Sequence, residues 1–475
     1  MTFRQKKFMN QSSMRRYPRR LSLLPSGFIL LLGLAGCSTG SPLVQEPGRL
    51  AVPLHWSSMG NASSIPSISL NDWWQQFNDP LLTMLITQAL QANTTVRSAQ
   101  AALQQARALR DIGAAGLSPS LSASGSAQRG KSDGGDTSNS LRAGLDARWE
   151  LDVFGARPSS LDASEADAQA SQASLADVQV SIAAEVALAY IQLRGLQAQL
   201  QIARNNLASQ QETLQITDWR LQAGLTTTLE LEQARAAAEQ TSAQLPTLQT
   251  SIRQTQLSLA LLSGQTPDTL QGLVAESRPI PEIAGDWALG IPAQTLRQRP
   301  DVRAAEQRIR AALSRVSAAD AARYPGFALS GSLGLNALSL TSPTRIASAL
   351  LGSISVPLFD GGAVLAQVRA QEAALEQARV AYEAVVLTAV KDVESALAAL
   401  QGDRARQLHL QNAATAAANA ALLAQQRYAS GLIDFQTVLQ TQRTLLTAQD
   451  SMASTQAAIS TDHVRLVKAL GGGWN

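Results

Sequence analysis

The residues that could bind a metal ion or attack a substrate are few and widely separated in this sequence. His55, His409 and His463 do not lie at metal-ligand spacing from one another or from a cysteine, and we expect each at the surface. The acidic residues of the segment 133–136 flank two glycines, a pattern better explained by an exposed turn than by a calcium loop. No spacing is typical of a nucleophile with its base, so the sequence predicts neither a catalytic site nor a metal or cofactor.

The single cysteine has neighbours that indicate a specific modification. A basic region without acidic residues leads into the apolar run Phe28 to Leu34, which ends in Leu34-Ala35-Gly36-Cys37. This order is typical of a secretory signal, and the run is too short for a spanning helix. The last four residues resemble the bacterial lipoprotein box, which implies a covalent lipid on Cys37, and Ser38 resembles the outer-membrane sorting state. The alternative is a buried cysteine beside an ordinary cleavage site.

The net charge of the chain depends on this segment. Residues 1–36 hold seven of the 39 basic residues and none of the 36 acidic ones, so the mature chain has a net charge of −4. The positive formal charge of the whole chain is therefore no evidence for nucleic-acid binding. One cysteine also excludes an internal disulfide.

Two pairs of runs alternate apolar with small polar residues, which is the period of a β-strand. They predict β-hairpins over residues 119–152 and 325–358. Strands of about ten residues with one apolar and one polar face suit a membrane-spanning β-barrel. A hairpin in a soluble protein is the alternative.

The regions that follow the hairpins are rich in alanine, glutamine and leucine, with an apolar residue at every seventh position. The first of these regions has the seam Leu193, Leu200, Leu207, Leu214 and Leu221. A sustained seven-residue seam predicts coiled-coil packing of long helices. Gly224 and Gly431 then mark turns between antiparallel arms.

The second half of the sequence repeats the first at an offset of about 206 residues. Pro119 recurs as Pro325, and Arg220 to Leu225 recurs as Arg427 to Leu432. The sequence thus predicts a mainly α fold with a small β part and an internal duplication. The predicted domains are a signal (1–36), a lipid-anchored tether (37–70), a first repeat (71–264), a proline-rich connecting segment (265–300) and a second repeat (301–475).

Four strands cannot close a barrel, and a sheet with unpaired edges cannot sit in lipid. If the hairpins span a membrane, other copies of the chain must complete the barrel. Three copies would give twelve strands, with the long helices forming a rod on one side.

Four segments resemble the TolC-like outer-membrane factor family, in its lipoprotein (NodT-type) subgroup that serves resistance-nodulation-division (RND) efflux pumps. They are Trp73 to Leu81, Trp149 to Gly155, Arg299 to Glu306 and Val356 to Gly362. The resemblance covers essentially the whole mature chain. It implies a homotrimer in the Gram-negative outer membrane, with a twelve-stranded β-barrel continuous with a periplasmic α-helical barrel.

The same resemblance implies roles for the two turns. By position, six residues resemble tips that dock a periplasmic adaptor, which would work with an inner-membrane RND-type pump: Arg220, Gly224, Leu225, Arg427, Gly431 and Leu432. Glu230, Asp434 and Gln440 are candidates for a gate or ionic constriction, and solvated helix surface is the alternative for the two acids. Relatives often carry an acid where this chain has Gln440, which leaves the charge of that constriction open.

The function implied is an exit duct for drugs, metals or other small molecules, with no enzymatic activity and with lipid palmitate on Cys37 as its only covalent group. The alternative is a lipid-anchored coiled-coil spacer or adaptor that does not span the membrane. An envelope hydrolase is unsupported, because no catalytic constellation is present.

Overall fold

The structure is a computed structural model that describes residues 72–131, 137–283, 293–338 and 343–472, all within the unit from Leu50 to Asn475. The predicted signal (1–36), the whole predicted tether (37–70) and the first residue of the first repeat lie outside the described residues, and with them Cys37 and His55. So does the predicted turn at 133–136.

Within these ranges the chain forms helices and strands in an order that occurs twice. The helices are α1 (Pro80–Ala92), α2 (Thr94–Ala115), α3 (Ala156–Gln222), α4 (Thr228–Leu262), α5 (Pro267–Val274), α6 (Pro300–Ala321), α7 (Ala363–Ala429) and α8 (Phe435–Ala469), with 3₁₀ turns at Trp73–Phe77 and Ala293–Gln298. The strands are β1 (Ser120–Lys131), β2 (Thr137–Leu151), β3 (Gly326–Ala337) and β4 (Arg345–Ser355).

Corresponding helices of the two halves have equal lengths. α2 and α6 have 22 residues each, α3 and α7 have 67, and α4 and α8 have 35. A helix of 67 residues is roughly 100 Å long and one of 35 residues about 50 Å. The prediction of a mainly α fold with an internal duplication is confirmed.

The two longest helices begin in the same way, immediately after the second strand of each hairpin. Gly155 and Gly362 precede them with φ angles of 80° and 86°, which glycine adopts without steric cost. An aspartate accepts the free amides of each start: Asp152 accepts from Gly155 N at 2.8 Å, and Asp360 from Gly362 N and Val364 N, both at 2.8 Å. The Asp–Gly pattern therefore fixes where strand gives way to helix.

The four strands form one antiparallel sheet in the order β1-β2-β3-β4. Leu121 pairs with Ala147, Ala147 with Gly331, and Gly331 with Leu350. β1 and β4 are the edges of the sheet, so each has one unpaired side within the described chain.

The main apolar core lies away from the sheet. It forms where α1, α5 and the C-terminal ends of α4 and α8 pack on the middle of α3 and α7, around Leu85, Tyr190, Leu259, Val393 and Leu466. Among the described helices, α3 alone is long and apolar enough to cross a membrane by length and composition. Ile182, Val186 and Ile191 of this helix belong to the main core.

The helical segment from Pro80 to Ala115 is divided into α1 and α2 at Asn93. Asn93 has an extended backbone, and its side-chain oxygen accepts from Thr95 N at 2.8 Å, starting a new helix. Its Nδ2 donates to the carbonyl of Leu262 at 2.8 Å, at the end of α4. This contact spans distant parts of the chain, so local sequence patterns could not predict the break.

Candidate functional site

The strand register separates the sheet into an apolar and a polar face. The apolar face consists of Leu121, Ala123, Gly125, Ala127, Leu141, Ala143, Leu145, Ala147, Trp149, Leu151, Phe327, Leu329, Gly331, Leu333, Leu335, Ile346, Leu350, Gly352 and Ile354, with Ser348 in β4 and the polar residues Arg129, Lys131, Thr137 and Asn139 near the β1–β2 turn. Leu350 is 79% exposed and packs against no other layer. Large exposed apolar surfaces mark contacts with protein or lipid.

The opposite face is polar in β1, β2 and most of β3, and in β4 it carries Ala347, Ala349 and Leu351 between Arg345 and Ser353. β1 contributes serines and Gln128, and β3 contributes Ser330, Ser332 and Asn336. The charged residues of this face are Arg142, Asp146, Arg148, Glu150 and Arg345. An apolar face and a polar face on one exposed sheet are what a barrel between lipid and a water-filled lumen requires.

Aromatic residues gather at the end of the sheet where the helices begin. Phe154 stacks on Tyr324 with ring centroids 4.8 Å apart, and on Phe327 at 6.5 Å. Trp149 donates its indole N–H to the carbonyl of Leu117 at 3.2 Å. Phe359 is 93% exposed just beyond β4. Aromatic girdles of this kind occur at the membrane–water boundary of barrels.

The two predicted tips have the same backbone structure. Gly224 and Gly431 have φ angles of 72° and 75°. In the first turn, Leu225 N donates to Arg220 O at 2.8 Å, and in the second, Leu432 N donates to Arg427 O at 2.8 Å. Each helix therefore ends at a glycine with left-handed backbone angles. The residue after that glycine donates its N–H to the carbonyl five residues earlier, which closes the turn.

Each turn presents an apolar side chain at its outermost position. Leu225 is 67% exposed and Leu432 is 73% exposed. Arg427 is exposed, whereas Arg220 is partly buried. The second turn therefore offers both a free leucine and an exposed guanidinium.

Arg220 contacts the other turn of its own chain. Its Cζ lies 4.6 Å from the ring centroid of Tyr428, and its Nη1 donates to the carbonyl of Tyr428. The hydroxyl of Tyr428 is 3.2 Å from the hydroxyl of Thr217. These contacts join the end of α3 to the end of α7, so Arg220 is placed to hold the two turns together.

The candidate gate acids lie at the starts of the return helices. Asp434 accepts from Thr437 N at 2.8 Å and from the Thr437 hydroxyl at 3.0 Å, and these bonds hold the pKa of its carboxyl below the usual range. Glu230 accepts from the hydroxyl of Thr226 in the first turn of α4. Asp434 therefore caps α8, whereas Glu230 lies in the first turn of α4, which Thr227 caps. Gln440 is exposed on α8 without a described contact to either acid.

The residues that connect the two repeats near the tips are not among those predicted from the sequence. Tyr428 is one of them, and Gln442 is another, since it donates to Thr213 at 2.8 Å in a buried position. One signal was present: Tyr428 stands where the first repeat has Leu221, so the duplication there introduces a hydroxyl and a ring.

One histidine prediction is wrong. His463 is buried between α8 and α7, with Nε2 3.3 Å from Nη2 of Arg404, whereas His409 is exposed as predicted. His463 is four residues from Ile459 and three from Leu466, which puts all three on one helix face. That spacing was a usable signal of burial. No group of histidine, cysteine and acidic residues suited to a metal occurs in the described ranges.

Comparisons with known proteins agree with this geometry. The family model of the outer membrane efflux protein matches residues 85–265 and 291–472. The chain is 35% identical over 476 residues to the pyoverdine export outer membrane protein OpmQ of Pseudomonas putida, covering 96% of this chain and 98% of that protein. It is 29% identical to the cation efflux system protein CusC of Escherichia coli, covering 95% of this chain and 98% of that protein.

Solved structures show the same fold. The outer-membrane channel OprN is 35% identical and superposes with a TM-score of 0.80, covering 90% of this chain and 98% of that one. VceC of Vibrio cholerae is 27% identical with a TM-score of 0.79, covering 86% of this chain and all of that one. The family resemblance drawn from four sequence segments is confirmed, and the chain belongs to the outer membrane efflux protein family.

Proposed function

We propose that this chain is the outer-membrane channel of a tripartite efflux system, a passive exit duct for small molecules delivered by an inner-membrane pump through a periplasmic adaptor. The observation that carries the proposal is the sheet, which has one apolar face, one polar face and two unpaired edges. Three copies pair these edges into a closed twelve-stranded barrel, because an open sheet cannot lie in lipid.

The polar face of the sheet lines the lumen, and the long helices continue the duct on the periplasmic side. Transport needs no chemical step in this chain, since cargo moves down the duct and the pump supplies the energy. The chain thus acts as a channel and not as an enzyme.

The two turns are the docking surface for the adaptor. Leu225 and Leu432 offer exposed apolar contacts at the outermost positions, and Arg427 adds a cation beside the second one. Gly224 and Gly431 permit the tight left-handed turns that present these side chains. Arg220 contributes by setting the spacing of the two turns through Tyr428. Glu230, Asp434 and Gln440 follow these turns and remain candidates for the constriction.

The predicted domains complete this arrangement. The signal (1–36) directs export, the tether (37–70) carries a lipid on Cys37, and the proline-rich segment (265–300) connects the repeats 71–264 and 301–475. Labelling with radioactive palmitate, lost in a Cys37→Ser variant, tests the lipid anchor.

Cargo differs among relatives of this chain. OpmQ is named for pyoverdine export, CusC for cation efflux and SrpC of Pseudomonas putida for solvent efflux. Since these proteins share one fold, selectivity among cargo classes resides mostly in the pump.

The test is the mass of the detergent-extracted protein together with its conductance in a planar bilayer. We expect a trimer that forms discrete channels. A lipid-anchored spacer that does not span the membrane, the alternative, would give a smaller assembly and no conductance, and that result would overturn the proposal.

A further inference from the structure

Two arginines lie in one row across the polar face of the sheet, near the end that carries the hairpin turns. Arg142 in β2 pairs with Asn336 in β3, which pairs with Arg345 in β4. On the other side, Arg142 pairs with Ser126 in β1. Since adjacent strands are about 4.8 Å apart, the two arginine backbones are roughly 10 Å apart with the asparagine amide between them.

Neither guanidinium has an acidic partner among the described residues. Arg142 and Arg345 are both exposed, and the described ion pairs include neither of them. Arg148 differs, because its Nη2 is 3.2 Å from Glu150 Oε1, and Glu150 also binds Arg157. Arg148 at the helical end of this face is thus paired with an acid, whereas Arg142 and Arg345 are not.

The remaining acid of the face is too far away to neutralise the row. Asp146 lies four residues from Arg142 along β2, which is about 13 Å in an extended strand. Asp146 pairs across with Ser122 and Ser332, in a different row. Among the described residues of the polar face, the positive charge is therefore concentrated toward the turn end of the sheet.

Assembly would leave this charge in place. In the trimer, β4 of one copy lies beside β1 of the next, and β1 contains no acidic residue. Its polar face offers serines and Gln128, which can donate to an anion but cannot pair with a cation as a charge. Three copies bring six guanidinium groups to the outer part of one lumen.

We propose that the row Ser126–Arg142–Asn336–Arg345 is a binding site for small organic anions with more than one negative charge, such as polycarboxylates. The proposal rests on the lumenal position of the polar face under the proposed function. Guanidinium groups bind carboxylates through charge-assisted hydrogen bonds and stay charged at every physiological pH. A lumen with one sign of charge raises the local concentration of the opposite ion, so the outer part of the duct favours anionic cargo.

The test measures binding of a fluorescent pyrene trisulfonate to the detergent-solubilised full-length trimer by anisotropy, which does not depend on whether the channel is open. We expect wild type to bind the dye with an affinity that falls as salt rises. Arg142→Gln with Arg345→Gln should weaken binding about tenfold or more, because two charge-assisted contacts are lost. The double substitution Arg142→Lys with Arg345→Lys should retain part of the wild-type affinity for the dye.

The matched control is Arg129→Gln, which removes the same charge from the apolar face of β1, toward the same end of the sheet. It should leave dye binding unchanged. Equal weakening by this control, or no effect of the double substitution, would overturn the site. If the double variant does not form trimers, each single variant is measured, and both must weaken binding.

A cellular assay separates this inference from the proposed function. If deletion of the gene leaves efflux unchanged, the duct itself is refuted. If wild type restores efflux and the double variant exports anionic and neutral cargo in the wild-type ratio, the duct stands and the anion site is refuted. We expect the double variant to lose export of the anionic cargo selectively.

Discussion

A single buried arginine organises the junction between the helices at the main core. Arg194 is fully buried, and its Nη1 donates to Gln197 at 2.7 Å and to the carbonyl of Glu276 at 2.6 Å. Its Nη2 donates to the hydroxyl of Tyr190, which in turn donates to Asp79 at 2.6 Å. A buried charge is tolerated only with such partners. The network thereby ties α3 to the start of α1 and to the segment after α5.

Tyr190 makes the stability of this junction sensitive to alkaline pH. Burial raises the pKa of Tyr190 to about 12, and the hydrogen bond to Asp79 adds to the rise. The unfolded chain loses this proton near pH 10, so the contribution of Tyr190 is complete below about pH 10 and is lost as pH rises toward 12. We expect the melting temperature of wild type to fall more steeply over that range than that of Tyr190→Phe.

Tyr190→Phe should also lower stability by about 1–3 kcal/mol at pH 8, because Asp79 and Arg194 each lose a buried partner. Thermal unfolding of the solubilised protein measures both effects. Tyr324→Phe, at a tyrosine 42% exposed beside the sheet, is the control and should change neither. Identical alkaline slopes for wild type and Tyr190→Phe would contradict the assignment.

Among the helices, strands and turns, the sequence predicted those whose positions are set by local periodicity. Alternation over 119–152 and 325–358 contains all four strands, and the glycines at 224 and 431 lie at the turns. It did not predict the break at Asn93 or the link from Arg220 to Tyr428. Asn93 bonds to Leu262 and Arg220 bonds to Tyr428, each partner more than 160 residues away, and a linear pattern does not encode such pairs.

Gly431→Pro tests whether the second turn docks the adaptor. Proline fixes φ near −65° against the observed 75°, and it removes the N–H that donates to Tyr428 O at 2.9 Å. We expect assembled trimers that fail to restore efflux in a strain lacking its own channel. Unchanged efflux would contradict the docking role.

Gly362→Pro is the matched control at the other end of α7. It meets the same conflict, since Gly362 has a φ of 86° and donates its N–H to Asp360 at 2.8 Å. Any trimers that this variant forms should still restore efflux, because the turn at Gly431 is intact. The comparison separates damage to the turn from general damage to the helix.

For the whole molecule, the two faces of the sheet decide which side meets lipid. Leu350 and Leu351 are neighbours in β4, 79% and 61% exposed, on opposite faces. An arginine facing lipid at mid-membrane depth costs about 2–4 kcal/mol, whereas one facing a lumen does not. The apolar and polar composition of a strand was readable from sequence, but the side facing lipid follows only from the register of all four strands.

Leu350→Arg should therefore reduce the amount of heat-resistant trimer in the outer membrane, as measured by gel electrophoresis of membrane fractions. Leu351→Arg, one residue away, should assemble at the wild-type level and alter channel conductance instead. Equal assembly of the two variants would contradict the assignment of faces.

The pairing of β2 with β3 has a consequence for the order of events in biogenesis. Leu141 pairs with Ala337, about 200 residues later in the chain. Contacts between such distant residues form slowly, because a long loop must close first. Each hairpin can form as soon as it emerges, but the first must wait with an exposed edge until the second repeat has been exported. The secreted chain therefore spends its early lifetime as two separate half-sheets, which is the interval in which it most needs a periplasmic chaperone.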